Sequence, residues 1–187
     1  RVLIRVDYNV PIEDGIIIDN YRIKKSLSTI NYCLEQGASI VLMSHLGRPK
    51  DIDLNYSLSI VCDELEKLLN RTIFFSSDCI SDDSIIKSSK LEAGQIHLLE
   101  NLRFYSEELN NCSKFSQKLS FHGDVYINDA FGTAHRSHAS NVGVAELFKE
   151  KYYGLLMETE LHYLSDTMKE PLRPLTIVMG LIFLIII

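Results

Sequence analysis

SIVLMSHLGRPK, residues 39–50, decides how this chain is read. Its first five residues form a strand-like run, and the run empties into a loop that carries a histidine, an arginine and a lysine. A strand that is apolar at nearly every position, rather than at alternate ones, fits a sheet covered on both faces. Gly47 permits a turn with positive φ and Pro49 stiffens the exit, which aims His45 and Arg48 at the strand end. Taken alone, such a loop could be a plain Gly-Pro turn with surface charge.

Three other runs have the same form. RVLIRV (1–6) leads into DYNVP (7–11), IHLL (96–99) into ENLRFY (100–105), and DVYIND (124–129) into AFGTAHRSH (130–138). In an open parallel sheet the carboxyl ends of the strands share one edge, and ligands bind there. The four loops are therefore expected to converge. They bring His45, Arg48, Arg103 and Arg136, and Arg22 enters from the first helix. A guanidinium grips phosphate or carboxylate with two parallel hydrogen bonds, which an ammonium does not. The pattern reads as a receptor for a small, strongly anionic molecule.

The segments between these runs alternate strand and helix. Strands are expected at 2–6, 39–43, 72–76, 96–99, 124–127 and 175–179. Helices are expected from Asp19 or Asn20 to Gly37, at 57–70, in a short piece before residue 96, near 112–121, and at 157–169. Ile23, Leu27, Ile30 and Leu34 recur at helical spacing, as do Leu58, Val61, Leu65 and Leu68. This order predicts an α/β fold: a three-layer, mostly parallel Rossmann-like sheet, right-handed crossovers and helices on both faces. The runs SIVLM, TIFF and LTIVM all read as strands covered on both sides. No internal repeat or linker divides the chain, and one domain is expected.

Composition narrows the function. The chain has 187 residues, 46% apolar and 24% charged, with a formal net charge of −6. That balance fits a globular domain and disfavours a nucleic-acid surface, which needs a broad basic face. Eight of the nineteen basic residues are Arg, and half of those lie in the loops or helix start just named. Cys33, Cys62, Cys79 and Cys112 are widely spaced, as expected of reduced cysteines in a cytoplasmic protein rather than a zinc site or disulfide framework. The apolar run at 175–187 is thirteen residues long, short of the roughly 20 needed to span a bilayer, so no membrane anchor is expected.

Within the loops, Asp7 and Asn9 could bind hydroxyl groups or form an Asx turn before Pro11. Asp129, His135 and His138 could in principle hold a metal, but no further ligand is clearly placed, so no metal site is expected. Arg103 could be a surface residue paired with Glu100. Neither a G-x-x-x-x-G-K-[ST] nor a G-x-G-x-x-G nucleotide loop occurs, nor a G-x-S-x-G elbow.

RVLIRVDYNVP, DNYRI, LMSHLGRPK, LLENLRFY and YINDAFGTAHRSHAS, in this order and spacing, closely resemble the amino-terminal domain of the phosphoglycerate kinase family. GLLMETELHYL and PLRPLTIVMG are similar to that family's helix and strand approaching the interdomain hinge. The resemblance runs from Arg1 to about Gly180. It implies reversible transfer of the acyl phosphate of 1,3-bisphosphoglycerate to ADP, giving 3-phosphoglycerate and ATP with magnesium. It also implies a usually monomeric protein. Residues 1–180 would then be the phosphoglycerate-binding domain. Carried onto matching positions, Asp7 and Asn9 would contact the glycerate. His45, Arg48, Arg103 and Arg136 would hold the non-transferring phosphate, and Arg22 would stabilise the transferring phosphoryl group.

Two departures are expected to matter. After the strand at 175–179 the family continues with a Gly-Ala-Lys-containing stretch, whereas residues 181–187 read LIFLIII, a divergent apolar tail. The family's Mg-ATP/ADP is bound by a carboxy-terminal domain that these residues do not supply. The chain by itself is therefore expected to bind phosphoglycerate and to be catalytically inactive. A stand-alone phosphoglycerate-binding module or non-catalytic fragment is the alternative.

Overall fold

β1 (Val2–Arg5) is flanked on both sides by parallel partners, β4 and β7, and this sets the frame of the domain. A computed structural model of the chain describes residues 1–169, 177–179 and 184–186. After β1 come β2 (Ile12–Glu13), β3 (Ile16–Ile17), α1 (Tyr21–Glu35), β4 (Ile40–Met43), α2 (Ser59–Leu69), β5 (Ile73–Ser76), α3 (Asp82–Ser89) and β6 (Ile96–Leu99). Then follow α4 (Ser106–Leu109), α5 (Ser113–Ser120), β7 (Val125–Asn128), α6 (Val144–Glu146), β8 (Lys151–Tyr153), α7 (Leu155–Lys169), β9 (Ile177–Met179) and β10 (Leu184–Ile186).

Six strands form one sheet in the order β5-β6-β4-β1-β7-β8, and every neighbouring pair is parallel. Alternate side chains go to opposite faces. Ile4, Ile40, Leu42, Ile96 and Leu98 pack with Ile23 and Ile30 of α1 and with Val61 and Leu65 of α2. Leu3, Val41, Met43 and Leu99 pack on the other side with Phe115 and Leu119 of α5, Ala139 and Val144. Two cores sandwich one sheet, so the three-layer α/β expectation holds. Each fully buried Leu or Ile contributes roughly 1.5–3 kcal/mol relative to exposure.

Local chemistry places the elements close to their expected bounds. The Asp19 carboxylate accepts from the Tyr21 N–H at 2.8 Å and starts α1, and Gly37 ends it with φ +77°. The Ser81 hydroxyl caps α3 by accepting from Ser84 N–H. Four features differ from expectation. TIFF forms β5 at the sheet edge, so Phe74 is 45% exposed rather than covered. LTIVM contributes β9, which pairs antiparallel with β10 in a separate two-stranded sheet; residues 175 and 176 lie outside the described residues. The hairpin β2–β3 was not anticipated. It turns at Asp14-Gly15, both at positive φ, the dipeptide that suits a two-residue hairpin loop. β8, an exposed edge strand beside β7, was also not anticipated.

Among the described residues, no helix is long and apolar enough to cross a membrane.

Candidate functional site

β6, β4, β1 and β7 are consecutive in the sheet, so the four loops leaving their carboxyl ends lie side by side. Topology alone thus converts four distant sequence segments into one surface. What fills it is set by how each loop is pinned.

The loop after β4 is pinned from both sides. Asn9 Oδ1 accepts from Gly47 N–H at 2.8 Å, and Gly47 takes φ +62°. From the β6 side, the fully buried Asn101 accepts from Leu46 N–H at 3.1 Å and donates to the Leu46 carbonyl at 2.7 Å and the Tyr56 carbonyl at 2.9 Å. Its Oδ1 also accepts from Arg103 N–H at 3.0 Å. Glu100 does not pair with Arg103. Its carboxylate accepts from Ser57 Oγ, Leu58 N–H and Asn101 N–H at 2.7–2.8 Å, where it tethers the start of α2. This corrects the surface-pair reading of Arg103, which is in fact only 8% exposed.

Arg103, Arg136, His45 and His138 come together electrostatically. Burial pulls the Arg103 pKa down, and Arg136 lowers it further. Burial and the charges of Arg5, Arg103 and Arg136 drive His45 down to about 2. His138 falls to about 4, through burial and then Arg103 and Arg136. Arg48 is exposed, yet near enough to Arg103 to depress it too. The Nε atoms of Arg103 and Arg136 are buried without a hydrogen-bond partner. An unmet buried donor costs about 1–3 kcal/mol. Two such donors lie in one cationic cluster.

Asp7 and Arg22 form a pair at 2.5 Å on the flank of this cluster. Asp7 also accepts from Asn9 N–H at 3.2 Å, so the Asx turn forms. Asp7 and Arg22 line a cavity of about 500 Å³ with Tyr21, Lys25 and Phe131. A Cβ on Gly132 would come within 3.0 Å of Asp7 Oδ2, so the glycine keeps this wall open. Arg22 therefore faces the flank through Asp7, while the other cations gather toward Arg103. A larger cavity, about 650 Å³, lies on the far side of Asn9 and Gly47 and has no Arg, Lys or His in its lining.

Asp129 serves the frame. Its Oδ1 accepts from Leu156 and Met157 N–H at 3.0 and 3.1 Å, capping α7. No group of three or more His, Cys, Asp or Glu suited to a metal occurs among the described residues.

Two buried charged residues beside the cluster escaped the sequence reading. Arg5 lies inside β1, 1% exposed, with Nε donating to Ser140 Oγ at 3.0 Å, Nη1 donating to the Val6 carbonyl and Nη2 at 3.0 Å from His45 Nδ1. Glu108 is fully buried; it accepts from Ser140 Oγ at 2.6 Å and Ser140 N–H at 2.9 Å. Burial pushes its pKa up, and Arg5 opposes that shift. Arg5 sits between the apolar Ile4 and Val6 in RVLIRVD with no partner visible in sequence, and nothing in SEEL marked Glu108 as buried.

The family model described as phosphoglycerate kinase matches residues 1–180. A phosphoglycerate kinase of Borreliella afzelii (strain PKo) is 46% identical over 181 residues, covering 96% of this chain and 46% of the relative. One from Nostoc punctiforme is 44% identical, over 96% of this chain and 45% of the relative. The solved phosphoglycerate kinase of Coxiella burnetii superposes with TM-score 0.83 at 36% identity, over 92% of this chain and 43% of that one. That of Pyrococcus horikoshii OT3 gives TM-score 0.84, also at 36% identity, over 92% and 44%. The chain spans about half the length of the curated relatives it matches.

Proposed function

The chain belongs to the phosphoglycerate kinase family, and from that premise we propose that residues 1–180 are its phosphoglycerate-binding domain. The observation that carries this reading is the buried, unpartnered Nε pair of Arg103 and Arg136 within the cation cluster. The phosphate of 3-phosphoglycerate or 1,3-bisphosphoglycerate supplies the acceptors these donors lack, with Arg48 closing from the exposed side and His45 from beneath. Asp7 and Asn9 take the glycerate.

In the transfer step an oxygen of the ADP β-phosphate attacks the acyl phosphorus, and the carboxylate of 3-phosphoglycerate leaves. Little covalent chemistry is asked of the protein in such a step; positioning and charge stabilisation dominate. Arg22 takes the second task. Its ion pair with Asp7 holds it at the flank, half-exposed, from where it can turn to the transferring group. ADP and ATP enter as magnesium-bound co-substrates, and we assign them to the family's nucleotide domain rather than to residues 1–180. No Gly-rich loop followed by Lys occurs here to cradle their phosphates.

We further infer a monomeric, cytoplasmic protein with no nucleic-acid partner. The free cysteines support the compartment and the net charge of −6 the lack of a nucleic-acid partner, while the monomeric state rests on the family resemblance.

A thermal-melt series tests the assignment. 3-Phosphoglycerate raises the melting temperature of the 187-residue chain, as any ligand selective for the native state does, and Mg-ADP leaves it unchanged. The same chain forms no measurable ATP. A shift with Mg-ADP and none with 3-phosphoglycerate would reverse the assignment.

A further inference from the structure

We propose that Arg5 is a positioning residue that fixes His45 as a neutral Nε2–H donor to the bound anion. This rests on the phosphate-binding reading of the cation cluster.

The argument begins with donor inventory. A guanidinium has only donors and stays charged. Arg5 Nη2 lies 3.0 Å from His45 Nδ1, so Nδ1 must be the acceptor. A neutral imidazole that accepts at Nδ1 carries its proton on Nε2. Protonating His45 would set an Nδ1–H against a guanidinium N–H, two donors and two positive charges in contact.

Arg5 is not free to move aside. It is 1% exposed, with Nε bonded to Ser140 Oγ and Nη1 to the Val6 carbonyl. Ser140 can accept from Arg5 because its own hydroxyl proton goes to Glu108 Oε1 at 2.6 Å, while its N–H goes to Oε2. A continuous line of hydrogen bonds thus runs from Glu108 in α4, through Ser140 and Arg5, to His45 beyond β4.

The cationic neighbours of His45 all act on it in the same sense, while the Glu108 carboxylate lies one step away, beyond Ser140 and Arg5. Arg5 faces it from β1, Arg103 from the loop after β6, and Arg136 and His138 from the loop after β7. His45 therefore gives the anion a directed hydrogen bond, while the Arg residues give the charge. Its contribution is constant across the range, about pH 5–8, in which an ordinary histidine titrates.

The test reads His45 directly by nitrogen NMR of the histidine rings in the 187-residue chain, free of ligand. The expected spectrum shows one neutral His45 with bare Nδ1 and protonated Nε2 from pH 8 to pH 5. A His45 that is the Nδ1–H tautomer, or that titrates in this range, overturns the proposal. Arg5→Met removes the donor, and Arg5→Met/Glu108→Gln removes the buried counter-charge with it, in case the single variant does not fold. In either, His45 is expected to titrate at a higher pH than in the wild type; an unchanged His45 titration in a folded variant overturns the proposal. Affinity for 3-phosphoglycerate, taken as the variant-to-wild-type ratio at each pH to cancel the ligand's own titration, is expected to fall about tenfold at pH 8, the scale of one hydrogen bond to a charged group. The ratio recovers partly at pH 5 as His45 gains charge; a ratio flat with pH contradicts the proposal. Wild-type protein that shows the expected tautomer but no binding would refute the phosphate reading instead, so the two failures are distinguishable.

Discussion

Asn101 holds both backbone groups of Leu46, accepting from its N–H at 3.1 Å and donating to its carbonyl at 2.7 Å. This amide staples the loop after β6 to the loop after β4, and both are buried at the contact. Asn101→Ala leaves the Leu46 and Arg103 N–H groups and two carbonyls without their partner. The expected loss is about 2–4 kcal/mol of stability in urea denaturation, since each unmet buried group costs roughly 1–3 kcal/mol before relaxation. Phosphoglycerate affinity falls as well, because His45 and Arg103 flank the staple.

Arg103→Ala is expected to weaken 3-phosphoglycerate binding by roughly 1.5–3 kcal/mol, the range for a hydrogen bond to a charged group. Lys67, exposed on α2 and only loosely paired with Glu64 at 3.8 Å, is the control. Lys67→Ala should change neither affinity nor stability by more than about 0.5 kcal/mol. Calorimetry on the two variants separates a ligand contact from a general loss of positive charge.

Gly47 combines φ +62° with a position where a Cβ would overlap the Tyr56 ring. Gly47→Ala meets backbone strain of about 1 kcal/mol in the left-handed region and must also push the Tyr56 ring aside. It should lower the urea midpoint and weaken phosphoglycerate binding together, because Gly47 N–H is the group Asn9 holds. Adding Tyr56→Ala should recover part of the stability, leaving the backbone strain.

A second buried histidine network makes a pH prediction. His122 Nε2 donates to the Cys79 carbonyl at 2.9 Å, so its Nδ1 accepts from Ser88 Oγ at 2.6 Å. Ser88 in turn accepts from His97 Nδ1 at 2.8 Å, and His97 Nε2 accepts from Ser76 Oγ at 2.8 Å. Burial holds both rings down to about 4. Their folded pKa values lie below the unfolded value of about 6.5, so the unfolded chain binds more protons between these limits. Their contribution to stability is complete above about pH 6.5 and is lost as pH falls toward 4, on the order of 2 kcal/mol for each ring. Urea midpoints at pH 7 and pH 4.5 check this. Replacing the linked groups together, His97→Leu/Ser88→Ala/His122→Leu, should give a shallower fall.

How much was legible in the sequence follows from where charge sits relative to regular structure. His45, Arg48, Arg103 and Arg136 stood out because polar loops follow apolar strands, and a parallel sheet must bring such loops to one edge. Arg5 was hidden by its place within a strand pattern, since its partners Ser140 and His45 are 135 and 40 residues away in sequence. Glu108 was hidden because a Glu in a short polar helix is ordinarily solvated. Asp129 looked like a loop ligand and is a helix cap, a role visible only once α7 is placed beside β7. The Asp14-Gly15 turn carried a readable hairpin signal that the surrounding Ile residues obscured. Phe74 shows the limit of reading apolar strands as central: TIFF is at an edge.

The central claim is that the cation cluster receives the phosphate of phosphoglycerate. A calorimetric titration of the 187-residue chain with 3-phosphoglycerate, at low and at moderate salt, tests it most directly. The account predicts saturable one-site binding that weakens as salt rises, because exposed charges such as Arg48 are screened, and that is reduced in Arg103→Ala. Folded, soluble protein that gives no heat of binding at either salt concentration would contradict it.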